Sequence, residues 1–387
     1  MSSSNSRDPQ RPDGKTSARR AFTLPLAVAI AAAALVAMLA FNARRHRVDP
    51  PTRRPMPMRI ARPAGMQGVD RVDPMGEGRP TGGPRRVYVG VYAFHVPQLD
   101  LSNNAYLVDF WLWFRWHGSD IDPSKSFEFM NQFEAWDLLK QPVYVDDQGN
   151  ARPDPLGGDW FYQVFHVQAR FGRPFDVRRY PFDHQQLVIA LEDTDMTTRQ
   201  MTYVPDPGTT AIDPSLDIPG WNLTNVTATV TEAQYQTNFG DPRRPVGDDR
   251  YTRFSYTIHI ARPVLGYLAT TLVPITIVML ITFACFLIPS RYFEGRLGLG
   301  ITSLISAVAL QLTASSDLPK TGYLVLLDHV YNLSYLVIFV ATLESVIAVR
   351  LADAEREEAS RKVDRWTLGV SAALYFGSVA WLLARAV

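Results

Sequence analysis

Wound at ~100° per residue, the repeat of an α-helix, the chain from position 294 places Glu294, Gly298, Thr302, Ile305, Ala309, Leu312 and Ser316 on one stripe. Read along its length, the stripe runs acid, glycine, hydroxyl, three apolar residues, hydroxyl. The chemistry such a stripe could do is not bond-making. A carboxylate concentrates cations, a hydroxyl replaces water around a partly dehydrated ion, and an apolar zone closes a path by dewetting. The other faces carry Leu297, Leu299, Ile301, Leu304, Val308 and Leu310, which suit lipid or neighbouring helices. A helix surrounded by lipid alone has no use for an acid, a threonine and a serine along a common edge; a helix lining water does. Gly, Ser and Thr also serve tight helix–helix contacts, so from this segment alone a closely packed bundle is the equal alternative.

No constellation for covalent catalysis accompanies the stripe. The sequence has no His-Glu-x-x-His, no Cys/His metal spacing and no Gly-x-Ser-x-Gly. Gly295, Gly298 and Gly300 lack the flanking strand and acidic residue of a phosphate cradle. No enzyme, cofactor or metal is therefore expected. A net charge of +1 on 387 residues gives no electrostatic reason for a nucleic-acid partner.

The elements that must position the stripe follow from a split in composition. Mean hydropathy is −0.07, but residues 85–261 are mixed and aromatic-rich while most of 264–385 is apolar. Four apolar segments predict helices at about 264–288, 296–315, 323–350 and 366–385. All but the second have the ~20 apolar residues that cross a bilayer; small and polar residues complete the second, as water on one side would require. Pro274 inside the first is tolerated in a membrane. Arg291, Arg296, Arg350, Arg356, Arg361, Lys362 and Arg365 gather at one side, against Lys320 and Arg385 at the other. That side is expected to be cytoplasmic, which puts residues 85–262, the 317–322 turn and the end of 263–387 outside. A further apolar run at 21–41 follows Arg19 and Arg20, so 1–42 reads as a signal or an uncleaved anchor. Residues 43–84, rich in Pro, Arg and Gly, read as a flexible linker. With Cys285 as the only cysteine, the exported part must hold together by packing alone.

Within 85–262 the period changes to two. Val87, Val89 and Val91 alternate with Tyr88, Gly90 and Tyr92, and Tyr106, Val108, Phe110, Leu112, Phe114 and Trp116 share one face. Further strands are predicted at 162–170, 186–191, 221–231 and 251–260. Short strands broken by Pro, Gly and Asp turns predict an antiparallel, immunoglobulin-like β-sandwich, with tryptophans mostly in its core. In the loop 173–187, Tyr180 precedes Pro181, a pairing that favours a cis bond and a fixed hairpin tip.

Taken together, these residues resemble the pentameric ligand-gated ion channels, the Cys-loop receptor superfamily, and its prokaryotic members in particular. Tyr180, Pro181, Phe182 and Asp183 match the tip of the family's signature loop, with Arg173 and Leu187 where animal receptors have the bridging cysteines. Pro274 matches the first-helix proline, and Leu318, Pro319, Lys320 and Thr321 match the turn between the second and third helices of a bacterial proton-gated relative. The resemblance covers roughly 86–387.

The resemblance implies a homopentamer in a lipid bilayer, the bacterial inner membrane, with each copy giving its second helix to a central pore. Glu294 would form an acidic ring at the cytoplasmic mouth and select cations, the alternative being a helix-end acid paired with Arg291 or Arg296. Gly298, Thr302, Ile305, Ala309, Leu312, Thr313 and Ser316 would line the rest. Asp183 and Arg262 would couple the sandwich to the pore, with Asp100 as a third charged member and Pro319 and Lys320 in the turn that is pushed; an ordinary surface ion pair is the bland reading of Arg262. An unidentified small extracellular agonist is implied, protons and amines being the candidates, and Tyr203, Tyr235 and Tyr251 are the expected ligand-binding aromatics. Ala307 stands where the proton-gated relative has a pore-helix histidine; His184 and His329 are candidates for proton sensing, the alternative being structural histidines. A non-conducting membrane sensor of the same fold is the competing function.

Overall fold

The computed structural model describes residues 83–134, 136, 138–206, 210–240, 242, 247, 250–316 and 318–386. The expected signal or anchor at 1–42, almost all of the 43–84 linker, and Asp317 lie outside them. The described residues divide into two compact units, one of strands (83–263, with 315–323) and one of helices (264–314 and 324–386).

The strand unit holds β1 (Arg85–Asp100), β2 (Ala105–His117), β3 (Phe127–Phe129), β4 (Leu139–Pro142), β5 (Asp154–Gly157), β6 (Trp160–Gly172), β7 (His184–Asp193), β8 (Met201–Pro205), β9 (Ala211–Ile212), β10 (Asn222–Gln234) and β11 (Arg250–Ala261). One sheet runs β4-β6-β2-β1-β8, with β5 on β6 and β9 on β1; the other runs β10-β11-β7-β3. Every predicted strand is present, that at 221–231 shifted to start at Asn222. The departure from an all-antiparallel sandwich is at one edge, where β8 and β9 pair parallel to β1.

Alternation decides the core. The β2 face of Tyr106, Val108, Phe110, Leu112, Phe114 and Trp116 is fully buried, as are Val87, Val89 and Val91 of β1. Val167 and Phe171 of β6 and Phe254, Tyr256, Ile258 and Ile260 of β11 complete it. Rings interlock edge to face inside, Phe110 on Phe129 at 6.0 Å and Phe129 on Phe171 at 5.4 Å. Polar ties cross between the sheets, among them the Tyr256 hydroxyl donating to the Ala211 carbonyl at 2.8 Å and the Tyr203 N–H donating to Thr252 Oγ1 at 3.1 Å. The Tyr106 hydroxyl on β2 donates to the Val188 carbonyl of β7 at 2.6 Å and accepts the Val188 N–H at 2.7 Å. Burial pushes this phenol up to about 12, so it stays a neutral donor and acceptor at every physiological pH.

Gly90 faces Trp113 across β1 and β2, and the indole lies where a side chain would be: a Cβ on Gly90 would sit 2.0 Å from Trp113 Cζ2. The indole cannot simply rotate away, because its Nε1 donates to Asp206 at 2.9 Å. Gly90→Ala is expected to destabilise the strand unit by about 1–3 kcal/mol through overpacking, read as a lower denaturant midpoint for the detergent-solubilised chain.

The helical unit holds α1 (Val264–Ala284, continued by a 3-10 turn Cys285–Leu287), α2 (Phe293–Ser315), α3 (Leu326–Asp353) and α4 (Glu357–Ala386). All four are long and apolar enough to cross a membrane. Pro274 lies inside α1 without ending it. Three starts differ from the expected ones, helix α2 beginning at Phe293 rather than 296. Helix α3 begins at Leu326 rather than 323, because the Asp328 carboxylate accepts the Val325 N–H at 3.0 Å and fixes the first turn there. Helix α4 begins at Glu357 rather than 366. Its charged first turns are held by tertiary contacts that hydropathy does not register, among them Ser360 donating to the Ala348 carbonyl at 2.9 Å.

Candidate functional site

Helix α2 has two unlike edges. Arg296, Gly300, Ser303 and Ala307 are buried, at helical spacings that put them on one face. Gly300 lets α3 come close: a Cβ there would meet Thr342 Oγ1 at 2.7 Å. The opposite edge carries the stripe, and the single chain leaves it uncovered. Glu294, Gly298, Thr302, Ala309 and Thr313 are exposed, and so are Ile305 at 64% and Leu312 at 70%. Ala309 and Thr313 also line a groove of about 460 Å³ shared with Pro274, Ile277 and Val278 of α1. Ser316 is exposed but lies beyond the end of α2, so the continuous helical stripe stops short of it.

Neither arginine considered as a partner for Glu294 is turned toward it. Arg291 places its guanidinium over the Tyr292 ring at 4.8 Å. Arg296 points inward, its Nη1 2.7 Å from Asp364 Oδ1 and its Nε donating to the Ile288 carbonyl at 2.8 Å.

In the strand unit, Asp183 and Arg262 meet as expected, Nε to Oδ1 at 2.7 Å. Both side chains are almost wholly buried, which removes the surface-pair reading. The Arg262 guanidinium lies over Trp221 at 4.2 Å and Tyr180 at 4.8 Å, and Gln185 Nε2 donates to the second Asp183 oxygen at 2.7 Å. The carboxylate therefore keeps both oxygens satisfied away from water. The Tyr180–Pro181 bond is cis, Pro181 is buried beside it, and Phe182 is half-buried. The loop also reaches the segment between α2 and α3: the Val177 N–H donates to the Tyr323 hydroxyl at 3.3 Å, and Arg178 stacks on the Tyr323 ring at 5.3 Å. Pro319 in that segment is buried and Lys320 exposed.

Asp100 is not a member of this cluster. Its carboxylate accepts from Ser102 Oγ at 2.7 Å, Asn103 Nδ2 at 2.8 Å and the Asn103 N–H at 3.0 Å, closing its own turn. Hydrogen bonds from Asn103 and Ser102 hold this carboxyl below its usual range. The turn pattern Asp-x-Ser-Asn was visible in the sequence as an Asx turn.

The three tyrosines separate. Tyr203 on β8 is only 1% exposed and packs near Phe114 at 6.3 Å; it is a core residue with no surface to offer a ligand in this fold. Tyr235 and Tyr251 do come together, ring centroids 5.9 Å apart, with Phe239 5.4 Å from Tyr235. Two charged residues not anticipated complete the group. The Tyr235 hydroxyl donates to Glu192 at 2.9 Å, and Arg253 Nε donates to the same carboxylate at 2.5 Å. A second unanticipated cluster sits on β1, β2 and β6: His166 Nε2 is 2.7 Å from Asp109 Oδ1, and its ring lies 4.9 Å from Trp111 and 5.7 Å from Phe94. The alternation that buries one face of β2 necessarily turns Asp109, Trp111, Trp113 and Arg115 the other way, and that was its available signal.

His184 and His329 are both exposed. The histidine with a clear environmental bias is His259 on β11, which sits 3.1 Å from Thr227 Oγ1. Burial, with Arg173 as a lesser cause, pushes this imidazole below its ordinary value. Folding thus favours the neutral ring. Its contribution to stability is fully present above the ordinary histidine value and is lost as pH falls through the depressed one. His259→Gln is expected to blunt the loss of thermal stability between neutral and mildly acid pH, compared with wild type in parallel melts.

No family profile matches the chain. Single proteins do. A proton-gated ion channel of Gloeobacter violaceus is 24% identical over 274 residues, covering 68% of this chain and 73% of that one. A gamma-aminobutyric acid receptor subunit beta of Lymnaea stagnalis is 23% identical over 171 residues, covering 44% and 32%. A pH-sensitive chloride channel 2 of Anopheles gambiae is 21% identical over 263 residues, covering 63% and 42%. The chain thus spans less than half the length of these two animal relatives.

Proposed function

The chain is a homologue of the Cys-loop pentameric ligand-gated ion channels and not an enzyme, and from that premise we propose that five copies form a cation-selective channel opened by an extracellular agonist. In this reading residues 85–262 are the ligand-binding domain, exposed outside the bacterial inner membrane, and 263–387 the channel domain. Glu294 sets the cation preference. Gly298 and Thr302 form the narrow wet end, and Ile305, Ala309 and Leu312 form the zone that closes by dewetting. Asp183, Arg262, the Tyr180–Phe182 tip, Pro319 and Lys320 transmit the agonist's effect.

The observation that carries the proposal is the asymmetry of α2. Its small, polar edge is buried within the chain, while the acid–hydroxyl–apolar edge is left exposed. A lone chain cannot enclose a path with one helix; a closed ring of identical chains can. One relative is named a chloride channel and another a proton-gated ion channel, so the cation preference rests on Glu294. The agonist is a small molecule or ion, protons and amines being the first to test. The Tyr235, Tyr251, Glu192 and Arg253 group is its proposed contact surface, with Tyr203 set aside.

The test is planar-bilayer recording of the purified assembly under a sodium chloride gradient, from alkaline to acid pH and across a panel of amines. Agonist-dependent current reversing on the sodium side is expected. Current reversing on the chloride side would overturn the selectivity. Silence from folded pentamers across the panel would overturn conduction in favour of a membrane sensor.

A further inference from the structure

Arg296 follows Glu294 by two positions, which on a helix turns the two side chains roughly 200° apart. An arginine so close to a path for cations is an electrostatic liability, because its charge opposes that of Glu294 wherever water does not screen it. The fold answers this in a specific way. The Arg296 side chain is 0% exposed; its Nη1 lies 2.7 Å from Asp364 Oδ1 of α4 and 3.6 Å from Glu344 Oε2 of α3. Its Nε donates to the Ile288 carbonyl at 2.8 Å, and Nη2 donates to the same oxygen. One guanidinium thus meets two carboxylates from two other helices. The cluster's cation is anchored on the side of α2 away from the stripe.

Resting on the pore reading above, we propose that Asp364 and Glu344 are positioning residues for ion selectivity: they hold Arg296 inside the bundle and offset its charge, so that the field at the mouth is that of Glu294. Nothing in either residue's own position would suggest this, since neither lies on α2. A purely structural role would make their neutral variants less stable but would leave the ratio of permeant ions alone.

The experiment measures reversal potentials under a sodium chloride gradient for wild type, Glu294→Gln, Glu344→Gln, Asp364→Asn, the double carboxylate variant, and a triple variant that adds Arg296→Met. Each carboxylate removed is expected to shift the sodium-to-chloride ratio toward chloride, and the double variant, which leaves five uncompensated cations, by on the order of tenfold. The triple variant, with no charge left in the cluster, is expected to recover most of that shift. A wild-type ratio in the double variant, or a triple variant that keeps the double's shift, overturns the proposal. If the double variant does not assemble, an unchanged ratio in Asp364→Asn overturns it equally. Glu294→Gln separates the two levels: no shift there removes the pore reading and this proposal with it, while a shift there without one in the carboxylate variants removes the proposal alone.

Discussion

Arg262→Gln is expected to lower the stability of the strand unit by about 3–5 kcal/mol, the range for breaking one partner out of a buried ion pair, and to abolish agonist-evoked current. The size follows from burial. An exposed pair would contribute ~0–1 kcal/mol. Here Asp183 would be left charged among apolar groups, with Gln185 as its remaining side-chain partner. Trp221 and Tyr180 would lose the cation that lies over both rings. Arg262→Lys keeps the charge but not the flat, forked guanidinium that fits between two rings and a carboxylate, so it should recover only part of the loss. Denaturant unfolding of the detergent-solubilised chain reads the first effect, and dose–response recording the second. A wild-type midpoint together with a wild-type response would remove Arg262 from both fold and coupling.

Glu294→Gln is expected to change selectivity with little change in stability, because the side chain is exposed and its neighbouring arginines are engaged elsewhere. Five carboxylates ringing a mouth, each ~7 Å from the axis and screened by salt, lower the energy of a monovalent cation by about 1 kcal/mol and raise that of an anion equally. Removing them should reduce the sodium-to-chloride permeability ratio roughly thirtyfold, since each 1.4 kcal/mol is a factor of ten. A reversal potential that stays where it was would remove Glu294 from selectivity and the pore reading of α2 with it.

How much of this could be read beforehand depended on whether the determining contacts are local or distant. The inward face of β2 was readable because burial in a strand repeats every two residues and Tyr106 to Trp116 obey it without exception. The Asp183–Arg262 pairing was readable from the motif alone, as the two lie far apart in sequence. Trp221 as the guanidinium's platform was not: nothing near it in the chain distinguishes it from a core tryptophan. Tyr203 was misjudged for the converse reason. An aromatic on a short edge strand looks the same whether it faces a ligand or the sheet opposite, and only the packing of β8 on β1 settles it. Asp100 could have been placed correctly, because Ser102 and Asn103 directly after it are turn formers that compete for its oxygens. Asp364 carries no sequence signal, because it precedes the apolar run of the fourth helix and its significance lies wholly in the arginine it meets on α2.

The seam between α2 and α3 bears on speed as well as shape. Along the buried edge of α2, Gly300, Ser303 and Ala307 have between them a single rotatable side-chain bond that moves a heavy atom, and the polar side-chain contacts with α3 lie toward the two ends, Arg296 with Glu344 and Gln311 with Tyr335 and Asp328. Where large residues interdigitate, a helix can slip only by passing bulky groups through eclipsed rotamers, each a barrier to be crossed. A smooth seam offers few such barriers. Tilting of α2 about its anchored Arg296 end would then proceed with little internal friction, and the lifetime of each state would be set by contacts at the helix ends and not by the seam itself.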